Sequence, residues 1–144
     1  MTYLLDTNTC IKYLNGRSEN IRLNLESRNS VDIVLCSIVK AKLYYGAMKS
    51  QNPEKTLTKL NQFLERFISL PFDDDASKAY GKIRAKLEKK GTPIGPNDLL
   101  IAATALASNV TLVTNNTKEF GRVEGLELED WEVLPNSRSH ENGE

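Results

Sequence analysis

From Leu99 to Leu106 the chain is apolar at every position but Thr104. A helix of that composition has no wet face, so it must lie at the centre of the fold, nearly fully buried. Pro96-Asn97-Asp98 starts it. Around it strand signals alternate with helical ones, the pattern of an α/β fold with a mostly parallel sheet and helices on its faces. The predicted strands are Thr2 to Asp6, Val31 to Cys36 and Val110 to Val113, with brief further strands at Ile68 to Phe72 and Trp131 to Leu134. Ile33-Val34-Leu35 is a continuous apolar run, as in a strand buried on both faces.

The helices have readable ends. Cys10, Ile11, Tyr13 and Leu14 form a short stripe that stops at Asn15-Gly16, and Ser18 opens a second helix to about Arg28. Ser37 is the expected N-cap of a third, running through Val39, Ala41, Leu43 and Ala47. After the break at Asn52-Pro53, Leu57, Leu60, Phe63, Leu64 and Phe67 recur at spacings of three and four, which predicts an amphipathic helix over Glu54 to Phe67. Asp73-Asp74-Asp75 precedes a helix through Tyr80, Ile83 and Leu87 and reads as a capping cluster at its positive end. Three consecutive residues there cannot all aim at one ion. The basic residues Lys78, Lys82, Arg84, Lys86, Lys89 and Lys90 form chiefly the wet face of that helix, with some in reach of a phosphate backbone.

At 144 residues and 40% hydrophobic composition, the chain can bury a core without disulfides or a structural metal. Residues 1–135 are expected to form one domain, and the polar segment 136–144, which holds the sole histidine His140, a disordered tail. Cys10 and Cys36 lie in apolar segments without ligand spacing and read as buried free thiols in a reducing compartment. No apolar run reaches the roughly 20 residues of a membrane span, and no basic leader opens the chain, so a cytoplasmic protein is expected. Net charge is zero but uneven. Residues 40–90 carry twelve basic against six acidic side chains, and residues 91–144 three against nine. A basic middle is compatible with a polyanionic partner, although a solvated helix surface explains most such imbalances.

In open parallel sheets ligands collect outside the carboxyl ends of the strands. Asp6 ends the first strand, Lys42 lies on the helix after the second, Asp98 opens the buried helix, and Asn115 or Asn116 follows the Val110 to Val113 strand. Two converging carboxylates are unfavourable neighbours unless one is protonated or a cation lies between them. Mg²⁺ or Mn²⁺ suits an all-oxygen site of one or two carboxylates, water and substrate phosphate. There it would deprotonate a water and neutralise a phosphodiester transition state. Taken singly, Asp6 and Asp98 serve equally well as helix caps, and the asparagines as turn residues.

The runs Leu4-Leu5-Asp6-Thr7-Asn8, Cys36 to Gly46, Gly95-Pro-Asn-Asp-Leu-Leu-Ile-Ala-Ala103 and Leu112 to Phe120 together resemble the motifs of PIN domains. In particular they are similar to VapC-type toxins of bacterial toxin-antitoxin modules, in the right order over roughly residues 2–134. The resemblance implies a three-layer PIN-like fold, with a sheet of about four or five strands flanked by helices. It implies a Mg²⁺- or Mn²⁺-dependent endoribonuclease that acts on RNA and normally dimerises. Its toxicity is held off by a VapB-type antitoxin whose C-terminal segment lies over the active site. By resemblance Asp6 and Asp98 are metal ligands and Asn116 falls where many relatives carry a further acid. Ser37 occupies a small polar position beside the site; Asn8 and Thr114 are expected to touch substrate or steady the acids.

One departure matters. Where the family reads Ala-Glu-Leu this chain has Ala41-Lys42-Leu43, so Lys42 stands at the second acid's position. Glu to Lys swings the pocket by two charge units, and the ammonium is expected to settle between Asp6 and Asp98 in the place of the cation. Weak metal binding and little or no nuclease activity follow. As an ordinary surface residue, Lys42 would instead face water while Leu43 faced the core. Two rival functions remain. One is a non-catalytic PIN-fold module that binds antitoxin or RNA. The other is a phosphotransfer protein whose aspartate accepts a phosphoryl group, which wants a second acid close after Asp6, where Thr7 and Asn8 stand.

Overall fold

The computed structural model describes residues 1–133. Leu134, the 136–144 tail and His140 lie outside the described residues. Five parallel strands form one sheet: β1 (Tyr3–Leu5), β2 (Ile33–Cys36), β3 (Ile68–Leu70), β4 (Thr111–Val113) and β5 (Leu128–Glu129), in the order β3-β2-β1-β4-β5. Leu4, Leu5, Leu35, Leu112 and Val113 are fully buried, as strands covered on both faces require. Around the sheet run α1 (Thr7–Leu14), α2 (Glu19–Glu26), α3 (Ser37–Met48), α4 (Pro53–Leu64), α5 (Asp74–Lys89), α6 (Pro96–Ser108) and the single turn α7 (Thr117–Phe120). This is the α/β architecture that the alternation predicts. Among the described residues no helix is long and apolar enough to cross a membrane.

Helix α6 is the buried one. Leu99, Ile101, Ala102, Ala103, Thr104 and Ala105 are buried, and the Thr104 hydroxyl is satisfied by donating to the Leu100 carbonyl at 2.9 Å. It ends on Asn109 in the left-handed conformation, φ 54°, a residue type that tolerates that region. Helix α5 packs along α6, and α3 against α4.

Several ends differ from the sequence reading, each for a local reason. Residues Ser30–Asp32 turn as a 3-10 helix before β2, so the strand starts at Ile33 rather than Val31. Ser37 is not a cap: β2 runs into α3 without a loop, Cys36 takes the N-cap position, and Ser37 is the exposed first residue of α3. Helix α4 stops at Leu64, with Phe67 buried just beyond it. The last strand is Leu128–Glu129 rather than a segment from Trp131. Trp131 instead sits 2% exposed, its ring 5.3 Å from that of Tyr3 and beneath the Arg28 guanidinium at 4.4 Å. Cys10 and Cys36 are buried free thiols. Burial pushes the Cys10 thiol far up, and the nearby Asp6 carboxylate adds to it, so the thiol is unreactive.

The aspartate cluster caps as expected: Asp73 accepts from the Ala76 amide at 3.0 Å, and Asp74 and Asp75 lie in the first turn of α5. Asp73→Ala is expected to lower stability by about 1 kcal/mol, measured by urea unfolding. The same change at Asp74, which makes no side-chain cap bond, should cost clearly less.

Candidate active site

The strand order reverses about β1, which is bordered by β2 on one side and β4 on the other. The carboxyl ends of β1 and β4 therefore face the crevice where open α/β sheets bind ligands. Leu5 and Val113 are register partners, so the next residues, Asp6 and Thr114, leave the sheet side by side. The Asp6 amide donates to the Val113 carbonyl at 2.9 Å, and Thr114 Oγ1 donates to Asp6 Oδ2 at 2.8 Å. Asp6 is also the N-cap of α1, Oδ1 accepting from the Thr7 amide at 2.8 Å. Both of its oxygens are thus oriented at the sheet edge, and the side chain is 5% exposed. The cap and the site are one residue in two roles.

Asp98 approaches from the first turn of α6. Its carboxyl is pushed up to about 6, first by burial, then by the carboxylates of Glu119 and Asp6. Lys42 works in the opposite direction. A hydrogen bond from protonated Asp98 to Glu119 adds to the rise. Glu119, on α7, is held below the usual carboxylate range, first by the Gly95 amide, which donates to Oε1 at 2.7 Å, then by Asn116 Nδ2, which donates to Oε2 at 2.8 Å. Asn116 is itself seated by its amide, which donates to Thr114 Oγ1 at 3.0 Å. A chain of hydrogen bonds thus runs from Asp6 through Thr114 and Asn116 to Glu119, whose carboxylate lies near Asp98.

Glu119 is the member that sequence reasoning missed. It sits on a four-residue helix and reaches an amide 24 residues away in sequence. The available signal was Asn116-Thr-Lys-Glu119, whose i, i+3 spacing is that of a capping box. Asn116 stands in the cluster, as expected, but as the residue that holds an acid. Asn115 is exposed. Asn8 and Ser37 are exposed at the starts of α1 and α3, and no hydrogen bond joins either side chain to the acids among the described residues. Thr114 is fully buried against Asp6.

Lys42 does not lie between the two acids, and it meets the surface expectation only in part. Leu43 faces the core at 6% exposure while Lys42 is half-buried, so the helix is not turned to put Lys42 in the pocket's centre. The ammonium forms no ion pair with Asp6 or Asp98, yet it is near enough to pull the Asp98 carboxyl down. It lies at the border between the acids and a cleft of about 440 Å³ whose apolar walls include Ile11, Leu14, Leu43, Ala47 and Leu60.

The donor chemistry suits a hard divalent cation. Asp6, Asp98 and Glu119 put more negative charge together than the protein offsets, and Thr7 Oγ1, next to Asp6, is buried without a hydrogen-bond partner. Among the described residues no three His, Cys, Asp or Glu side chains close on one point. Asp6 and Asp98 could therefore hold an ion only as a pair, the rest of its shell being water, which is how Mg²⁺ is commonly bound.

The pH dependence of stability follows from Asp98. Between 3.8 and about 6 the folded chain holds a proton on Asp98 that the unfolded chain has released, so stability falls as pH rises through that window. Asp98→Asn is expected to stabilise the fold at pH 7.5 by about 1 kcal/mol, once solvent screening of this half-exposed group is allowed for. The gain should vanish by about pH 4. Thermal melts of both chains across that range check it.

The PIN domain family model matches residues 3–126. The chain is similar to a Rickettsia felis protein named Ribonuclease VapC2, 46% identical over 134 residues, which cover 92% of this chain and 99% of the relative. It is 40% identical over 131 residues to a Salmonella typhimurium protein named tRNA(fMet)-specific endonuclease VapC, covering 91% and 98%. Among solved structures, VapBC2 from Rickettsia felis bound to a DNA fragment from its promoter matches with a TM-score of 0.84 and 45% identity, covering 91% of this chain and 99% of that one. VapBC-1 from nontypeable Haemophilus influenzae matches with a TM-score of 0.84 and 37% identity, covering 92% and 100%. The chain belongs to the PIN domain family, among the VapC ribonucleases of toxin-antitoxin systems.

Proposed function

We propose that this chain is a VapC-type toxin built to cleave RNA with a Mg²⁺ or Mn²⁺ ion held by Asp6 and Asp98, and that Lys42 leaves it impaired. The observation that carries the reading is the Lys42 charge acting on Asp98 at the edge of the acidic cluster of Asp6, Asp98 and Glu119. When bound, the ion supplies water activation and charge neutralisation at the phosphodiester. Thr114 and the Thr7 amide fix the two Asp6 oxygens, and Gly95 and Asn116 fix Glu119. Glu119 lies beside Asp98 and raises its carboxyl by like charge, so a bound cation would relieve that repulsion. Lys42 competes with a cation for these acids by like-charge repulsion, which disfavours the loaded site without blocking it sterically.

A VapB-type antitoxin is the protein partner, since the matched solved structures are VapBC assemblies. The apolar cleft between α1, α3 and α4, which opens beside Lys42, suits an apolar segment of that partner and would bring it over the acids. A second reading, a non-catalytic module that binds antitoxin or RNA, is favoured by Lys42 itself. Cleavage of RNA by the Lys42→Glu chain with Mg²⁺ separates the two. Silence on adding Asp6→Asn would tie that cleavage to this cluster, while silence of Lys42→Glu with metal bound would remove the nuclease reading.

A further inference from the structure

Helix α5 and its C-cap carry lysines at every fourth position, Lys78, Lys82 and Lys86 on the helix and Lys90 at the cap, so their stems rise along one side at about 6 Å intervals over about 18 Å. They line a groove of about 520 Å³ between α5, the end of α6 and the segment after α7. Arg122 stands on its other side, with Asp75 and Glu124 as the only acids among its described lining residues. Lys86 pairs with Glu124, and Lys90 is close to that same carboxylate. Lys78 and Lys82 form no ion pair among the described residues.

Two features decide what such a groove suits. Its large floor residues are already covered: Ile83, Leu87 and Val123 are 8%, 4% and 4% exposed, which leaves the half-buried Ala79 and Leu106 and the exposed Ala107 as its open apolar residues, two of the three being alanines that give an amphipathic helix little to grip. Along it runs the row of hydrated ammonium groups, point charges that meet phosphates without demanding a fixed geometry. One end also reaches the acids. The Arg122 guanidinium donates to the Pro93 carbonyl at 2.9 Å, in the loop that leads to Asp98, and lies near enough to Glu119 to hold its carboxyl down.

We infer that the α5 groove is a track for the sugar-phosphate backbone of single-stranded RNA, which it guides towards the crevice of Asp6 and Asp98. This rests on the ribonuclease reading for its purpose, but the binding it describes needs neither metal nor cleavage. The groove meets phosphate, so it supplies affinity and direction rather than sequence preference.

The test is the affinity of the full chain for a fluorescent 12-nucleotide oligouridylate across a salt series with chelator present. Lys78→Ala/Lys82→Ala/Lys90→Ala is compared with Arg17→Ala/Lys49→Ala/Lys55→Ala, which removes equal charge elsewhere, and thermal melts confirm that both variants fold. Every ammonium–phosphate pairing that is removed lowers the slope of log affinity against log salt by about 0.7, so the groove variant should drop by about 2 in slope and about tenfold or more in affinity at low salt. The control should weaken by less than about threefold. Equal weakening of both variants, or no binding by the parent chain, overturns the inference. So does equal competition by a polyglutamate peptide of matched charge, which would point to an acidic protein segment instead. Cleavage by Lys42→Glu that is untouched by the groove substitutions sinks the groove alone, whereas loss of binding in the groove variant beside an inert Lys42→Glu chain sinks only the nuclease reading.

Discussion

On the reading proposed above, Lys42→Glu is expected to raise Mg²⁺-dependent RNA cleavage over that of this chain by at least about 100-fold. The exchange removes a positive charge and adds a negative one at the border of the acidic cluster. The cluster already repels itself enough to help raise Asp98 to about 6. Two opposing charges a few ångströms from a site are each worth on the order of 1–3 kcal/mol at the effective dielectric of a protein surface. A change of about 2.7 kcal/mol is a factor of about 100 in binding. A second signature needs no metal: Asp98 should titrate still higher in Lys42→Glu, since the one group that draws it down has been replaced by another carboxylate. Carboxyl resonances followed by NMR report that shift, and a fall in place of a rise would separate Lys42 from the cluster.

The largest stability effect belongs to Trp131→Ala, at about 4 kcal/mol. The indole is 2% exposed, packed near Tyr3 and capped by the Arg28 guanidinium, and its Nε1 donates to Glu129 Oε1 at 3.1 Å. Asn24 Nδ2 donates to the Trp131 carbonyl at 3.2 Å. The residue therefore ties the segment after β5 to β1 and α2 at once. Truncation removes the packing and leaves Arg28 with the Tyr3 ring alone, beyond the forfeited transfer free energy. A drop of roughly 10–15 °C in melting temperature is expected for a chain of this size. Trp131→Phe should recover part of it, since an aromatic ring stays in the pocket while the rest of the indole's volume and the Glu129 bond are lost.

Legibility in the sequence followed how local each cause is. Asp6 and Asp98 were readable as candidates, one where an apolar run stops on an acid and one in the first turn of an uncharged helix, although each taken alone serves equally well as a cap. Helix α6 and the strands next to it were equally plain, since their burial is written in consecutive residues. Strand β5 was not: two residues carry no period, and Trp131 drew the assignment to itself through its size. Glu119 depends on a bond to the Gly95 amide that exists only after folding. The Ser37 expectation failed because a serine before a helix signals a cap only when a loop precedes it, and here a strand does. For Lys42 the sequence indicated the conflict of charge but not its geometry. The ammonium acts on Asp98 across space rather than lying between the two acids.

Calorimetric titration of Mn²⁺ into this chain and into Lys42→Glu at pH 7.5 asks most directly whether the acidic cluster is a cation site held weak by Lys42. At least about 100-fold tighter binding by Lys42→Glu is predicted, abolished again when Asp6→Asn is added; equal affinity of the two chains for Mn²⁺ would contradict it.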